Sequence, residues 1–253
     1  MPTTWSTNMS ASLPAGMPAL PSVPGLTPVL TVVRYLLLDR VTYLVVPWMW
    51  AAFAFVLDAV ILQLTPAGNS GHRWVGGLAA VFLVVFGIGV QTVARALPFG
   101  LALGVSRRTY FLGAALLAVA LAVCFGAAVA IGRAAERATD GWGMNMAYFR
   151  VSGVLDGPWW QAWLNATAAF VVLFAYGMWY GLVFRRAGLV GTVSFAGAQG
   201  VLLTLAAAVI TWTHGWTRFA HFFTITALFP AVLATAAVIL LAGGLATVRR
   251  LTV

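Results

Sequence analysis

The sequence predicts an all-α integral membrane protein with six transmembrane helices. Three observations carry that reading. Hydrophobic residues make up 62% of the 253 and charged residues only 8%, whereas a soluble domain carries about 25% charged residues. The mean hydropathy is +0.97. Six separate runs, at 43–64, 74–98, 109–132, 161–184, 190–212 and 223–247, reach the ~20 apolar residues that a bilayer crossing needs. Each run is continuously apolar rather than alternating, which excludes a transmembrane β-barrel.

Residues 1–28 contain six of the eleven prolines and no charged side chain. Such a stretch buries too little to offset the cost of ordering its backbone, so a disordered Pro-rich tail is expected there. It lacks the positive start and continuous apolar core of a signal peptide. Residues 29–253 then form a single transmembrane domain. In LTVVRYLLLDR (30–40), Val33, Leu36 and Leu37 share one helical face while Arg34 and Asp39 lie elsewhere around the wheel. That is too short to span and suits an amphipathic helix at the interface; a simple extension of the first span is the alternative.

Short polar links join most of the runs: TPAGNSGHR, SRR, FRRAG and THGWTRFAH. Pro98 is expected to end the second helix, because proline has no N–H to donate and crowds the preceding turn. The one longer link, 133–160, should continue the third helix through Arg137, turn at Gly141 and Gly143, and lie along the membrane surface on its aromatic residues.

The fourteen basic residues, all arginine, set the orientation. With the N-terminus inside, one face receives Arg34, Arg40, Arg95, Arg107, Arg108, Arg185, Arg186, Arg249 and Arg250; the other receives Arg73, Arg133, Arg137, Arg150 and Arg218. Nine against five puts both termini in the cytoplasm by the positive-inside rule. Because the arginines sit at the ends of apolar runs, the formal charge of +9 serves a lipid bilayer and not nucleic acid. The single cysteine, Cys124, excludes an internal disulfide, a CxxC pair and a cysteine zinc cluster.

Asp58 is the one acid inside an expected span. An ionised carboxylate at membrane depth costs about 2.5–3.5 kcal/mol on insertion scales, which makes a pathway role its default reading. Helix–helix hydrogen bonding is the other. Gln91 and Gln199 are the polar points on spans two and five that could join it along a pathway. His72, His214 and His221 fall in external links; His214 and His221 are spaced to share a helical face, but no HExxH pattern or paired carboxylate accompanies them. No metal site is expected. The chain lacks a GxxxxGK phosphate loop, a serine-nucleophile set and paired carboxylates. No catalytic or cofactor-binding residue is therefore expected, and ATP, if used, must be bound by another chain.

Residues 95–113, RALPFGLALGVSRRTYFLG, form a link too short and too interrupted by Gly100 and Gly104 to span. The wording LPFGLALGVSRRTYFLG resembles the first cytoplasmic link of the membrane subunits of ABC-2-type transporters, and the six-run layout extends the resemblance over roughly residues 30–253. The resemblance implies that this link is a short cytoplasmic coupling helix docking in a groove of a separate ATPase subunit. Phe99, Leu101 and Leu103 would supply apolar contact there, and Arg107 and Arg108 would seek carboxylates. It further implies ATP–Mg held on the partner, a second membrane subunit, a translocation pathway between the two, and a bacterial plasma membrane. The alternative is a six-span intramembrane enzyme or sensor without an ATPase partner, for which Asp58 lacks a companion acid at matching depth.

Overall fold

The computed structural model describes residues 26–64, 73–74, 76–151, 155, 157–217 and 228–249. Among these are seven α-helices, which with the π turns that join them include five continuous helices long and apolar enough to cross a membrane. The rest of the Pro-rich tail, His72 and His221 lie outside the described residues.

Helix α1 (Leu26–Leu36) starts inside the expected tail. It buries Val32 and Leu36 and leaves Arg34 exposed, so the expected amphipathic pattern holds, with Val32 taking the central place. Its buried face packs on the start of α5, where Gly113 lets Val32 approach closely. The chain breaks at 37–39 and then enters a π-helical turn (Val41–Val45) that runs into α2 (Val46–Leu64). The first crossing is therefore separate from α1.

The second long helix is built the same way. Helix α3 (Leu78–Gln91) passes through a π turn (Thr92–Ala96) into α4 (Leu97–Ala102). Pro98 does not end it, contrary to expectation. The proline stands in the first turn of α4, and the wider turn just before it loosens the hydrogen-bond ladder that the missing N–H would break. Pro47 stands in the same relation to Val41–Val45.

Helix α5 (Arg107–Ala138) is 32 residues long, about 48 Å at 1.5 Å per residue. Helix α6 (Trp159–Trp212) carries both the fourth and fifth expected runs in 54 residues. It is not straight: Gly188 has φ 65 and ψ −163, a conformation essentially confined to glycine. Tyr176 and Tyr180 both donate to Gln199 Oε1 at 2.5 Å, and the Tyr180 and Phe195 rings are 5.3 Å apart. Residues 176 and 199 would be about 35 Å apart along a straight helix, so the chain folds back at Gly188. Helix α7 (Leu228–Arg249) completes the bundle.

The first arm of α6 is the hub, packing on α3, α5 and α7. Lipid tails are as apolar as leucine, so helices in a membrane adhere by close packing rather than by escape from water. Gly89 of α3 lies against Gly177, where an added methyl would meet the Phe174 carbonyl at 2.3 Å. Gly181, one turn on, faces the Val90 carbonyl. These glycines let two backbones touch. The second arm of α6 is exposed along most of its length, including Val193, Leu203 and Val209.

The long link between α5 and α6 corrects the sequence reading. Helix α5 does continue past Arg137, and Gly141 and Gly143 do turn the chain, both at positive φ with Asp140, Trp142 and Asn145 between and beside them. The link then packs into the bundle instead of lying on the membrane surface: Met146, Ala147, Tyr148 and Leu155 are all buried. Met146–Ala147 pairs in parallel with Arg73–Trp74, tying this link to the one between α2 and α3.

Candidate functional site

The link between α3 and α5 gets its shape from local signals. In α4, Leu97 and Gly100 are buried, while Phe99 and Leu103 are 68% and 71% exposed. Leu101 packs inward against the core, so of the three expected apolar contacts only Phe99 and Leu103 present themselves outward. The helix ends in a Schellman closure, with the Val105 amide donating to the Gly100 carbonyl (3.2 Å) and Gly104 to Leu101 (3.0 Å). Gly104 adopts φ 82 as that closure requires. Ser106 then caps α5, its Oγ accepting the Thr109 amide at 3.1 Å. The end of the second long helix is thereby joined to the start of α5 by a fixed turn.

Arg107 and Arg108 are the first two residues of α5, the former half-buried and the latter exposed. Cations at a helix N-terminus oppose the macrodipole, typically by 0.3–1 kcal/mol each. Helix stability does not account for them. Beside the link, a cleft of about 360 Å³ opens between the end of α1 and the two π turns, with Asp39, Thr42, Gln91, Arg95 and Phe99 on its walls. Gln91 therefore serves this cleft, at the link end of α3.

Beneath the link lies a buried polar cluster without a counterpart in the sequence reading. Thr92 is fully buried, Tyr110 is 1% exposed and Tyr43 5%. Thr92 Oγ1 donates to the Ile88 carbonyl at 2.8 Å. Its hydroxyl proton is thus committed, so in the 2.9 Å contact with Tyr43 the tyrosine is the donor. Tyr110 donates to the Thr92 carbonyl at 2.7 Å. Gly100 rests on the Tyr110 ring, which an added methyl would meet at 2.7 Å. A tyrosine at the foot of an arginine-led helix and a threonine in an apolar run give no sequence signal of joining.

Asp58, Gln91 and Gln199 are not brought together. Asp58 Oδ2 accepts the Gly77 amide at 3.0 Å, just ahead of α3; Gln91 is at the other end of that helix, about 20 Å away by rise alone. Gln199 is held by the two tyrosines in the α6 hairpin.

At the opposite end of α5 from the 95–108 link, Glu136 is 2% exposed and its Oε2 accepts the amides of Tyr148 (2.9 Å) and Phe149 (2.7 Å). Arg133, one turn earlier and equally buried, donates from Nη2 to the Gly157 carbonyl at 2.5 Å. These two charges, of which the sequence singles out only Arg133 and only for orientation, anchor the link. Tyr148 donates to the Ala51 carbonyl at 2.8 Å. Burial, and secondarily the charge of Asp58, pushes its hydroxyl up to about 12. His214 sits past the end of α6 at φ 50, so it does not extend that helix face. Among the described residues, no group of three His, Cys, Asp or Glu side chains gathers as a metal site would need.

Comparison with protein-family profiles, with curated proteins and with solved structures finds no match to this chain.

Proposed function

We propose that the chain is the membrane-spanning subunit of an ATP-driven exporter of the ABC-2 type, coupled through residues 99–108 to a separate ATPase subunit. The observation that carries the reading is the end of the second long helix: α4 and its closure at Gly104, with Phe99 and Leu103 turned outward on a stretch whose wording resembles that family's coupling link. Arg95, Arg107 and Arg108 surround it, which suits an ATPase groove lined with carboxylates. The reversal at Gly188 supports six crossings, with both termini in the cytoplasm of a bacterial plasma membrane. ATP–Mg belongs to the partner, since this sequence carries no phosphate loop. A second membrane subunit would complete the pathway, and a hydrophobic or amphiphilic drug, peptide or lipid fits its apolar walls.

The test is co-purification of the tagged chain with the product of a neighbouring reading frame that encodes a phosphate-loop ATPase. The wild type should retain the ATPase through detergent extraction. Phe99→Asp with Leu103→Asp should insert normally and lose it, because both residues are exposed and neither supports the fold. A wild-type chain that captures no ATPase would overturn the proposal.

A further inference from the structure

Two prolines, Pro47 and Pro98, each follow a five-residue π turn with one residue between. The two turns meet, since Tyr43 lies in the first and Thr92 opens the second. A π turn beside a proline is a place where a helix has more than one hydrogen-bond register within reach, and such turns concentrate at functional sites. Here the two are not independent. Thr92 receives Tyr43 from the first crossing on its hydroxyl and Tyr110 from the third on its carbonyl, while its own proton goes to Ile88. One residue thus joins three long helices at the level of the link.

We propose that Thr92, with Tyr43 and Tyr110, is the positioning element that carries movement of α4 into the first crossing; this rests on the coupling reading above. The route is continuous. Gly100 of α4 lies on the Tyr110 ring with no room for a methyl group, and Tyr110 holds the Thr92 carbonyl at 2.7 Å. Thr92 in turn holds Tyr43, four residues before Pro47. A push on the exposed face of α4 is not absorbed at its C-terminal end, which the Schellman closure and the Ser106 cap fix. It passes to the two π turns, the loosest points of the hydrogen-bond ladders below. Ordinary scaffolding does not require this arrangement. A single interhelical hydrogen bond in a membrane contributes little to stability, and both phenol rings would fill the same space without their hydroxyls.

The test uses the full chain with its ATPase in lipid nanodiscs, on a Cys124→Ala background. Spin labels go on Val60→Cys and Ile131→Cys, exposed positions in the far halves of α2 and α5. Between the nucleotide-free and vanadate-trapped ATP–Mg states, the wild-type distance should change on the order of 2–5 Å. Tyr110→Phe and Thr92→Val should keep the ATPase bound and hydrolysing while losing most of that change; Thr92→Ser, which keeps the hydroxyl and the carbonyl, should restore it. The proposal is overturned if both variants move as the wild type does. It is equally overturned if the wild-type pair stays still during hydrolysis, or if Tyr110→Phe sheds the ATPase, which would make the tyrosine a prop for the docking face. A wild-type chain without a bound ATPase would instead remove the coupling reading itself.

Discussion

The Gly77 amide donates to Asp58 Oδ2 across 3.0 Å, and a methyl group on Gly77 would collide with that same oxygen. The acid of the first crossing therefore closes the N-terminus of α3, where orphan amides and the positive end of the helix dipole favour a carboxylate. This accounts for an acid in an apolar run without a pathway role. Asp58→Asn keeps an acceptor and should melt like the wild type and, on the exporter reading proposed above, transport normally. Asp58→Ala should cost about 1 kcal/mol, read as a fall of roughly 2–4 °C in melting temperature for a chain of this size. If the asparagine variant melts like the wild type yet loses transport, Asp58 belongs on the pathway after all.

Replacing Gly188 should strain the turn of the α6 hairpin. Its φ of 65 with ψ of −163 lies where side chains cost about 1–3 kcal/mol, although nothing stands within 4 Å of the added methyl. The penalty is one of backbone, not space. Gly188→Ala should lower the melting temperature by several degrees. It should also reduce oxidative cross-linking between cysteines placed at Tyr180 and Phe195, whose rings are 5.3 Å apart. Full cross-linking with unchanged melting would show that the turn tolerates an ordinary residue.

Tyr148 gives the link after α5 an alkaline limit. Its hydroxyl is pushed up to about 12, chiefly by burial, from an unfolded value near 10. A group raised on folding contributes stability that is complete below the unfolded value and is lost as pH rises through the folded one. The wild type should therefore lose stability relative to Tyr148→Phe between about pH 10 and 12, while remaining the more stable below that window through its bond to Ala51. Melting curves of the two proteins across pH 8–12 check this; a constant difference would mean that Tyr148 does not titrate with unfolding.

The crossings were legible because each is a long apolar run, and the turn points because Gly104, Gly141, Gly143 and Gly188 all stand where φ is positive. Less legible was everything that depends on which residues meet. Pro98 looked like a terminator because sequence shows the missing donor but not the π turn that accommodates it. Leu101 and Leu103 look alike in sequence, yet Leu101 falls beside Gly100 on the inner face of α4 and Leu103 does not. The anchoring roles of Glu136 and Arg133 were not legible because their partners are backbone groups 12 to 24 residues away, and backbone groups carry no sequence signature. For the same reason Tyr43, Thr92 and Tyr110 were invisible as a set.

Orientation decides whether α4 can meet a cytoplasmic ATPase at all, and α5 supplies the ruler. Its 32 residues extend about 48 Å, well beyond a hydrocarbon core of ~30 Å, so both ends project into water. Ser106 and Thr139 are poor sites for probes, since the first caps α5 and the second accepts the Trp142 amide while donating to Ala135. Ala102 and Ala138 are exposed neighbours free of those duties. In a Cys124→Ala background, an impermeant maleimide applied to intact cells should label Ala138→Cys and leave Ala102→Cys untouched, with both labelled after permeabilisation. The nine-to-five arginine split drives that expectation through the positive-inside rule. Labelling of Ala102→Cys alone in intact cells would place α4 outside, where no ATP is available, and end the coupling proposal irrespective of which proteins co-purify.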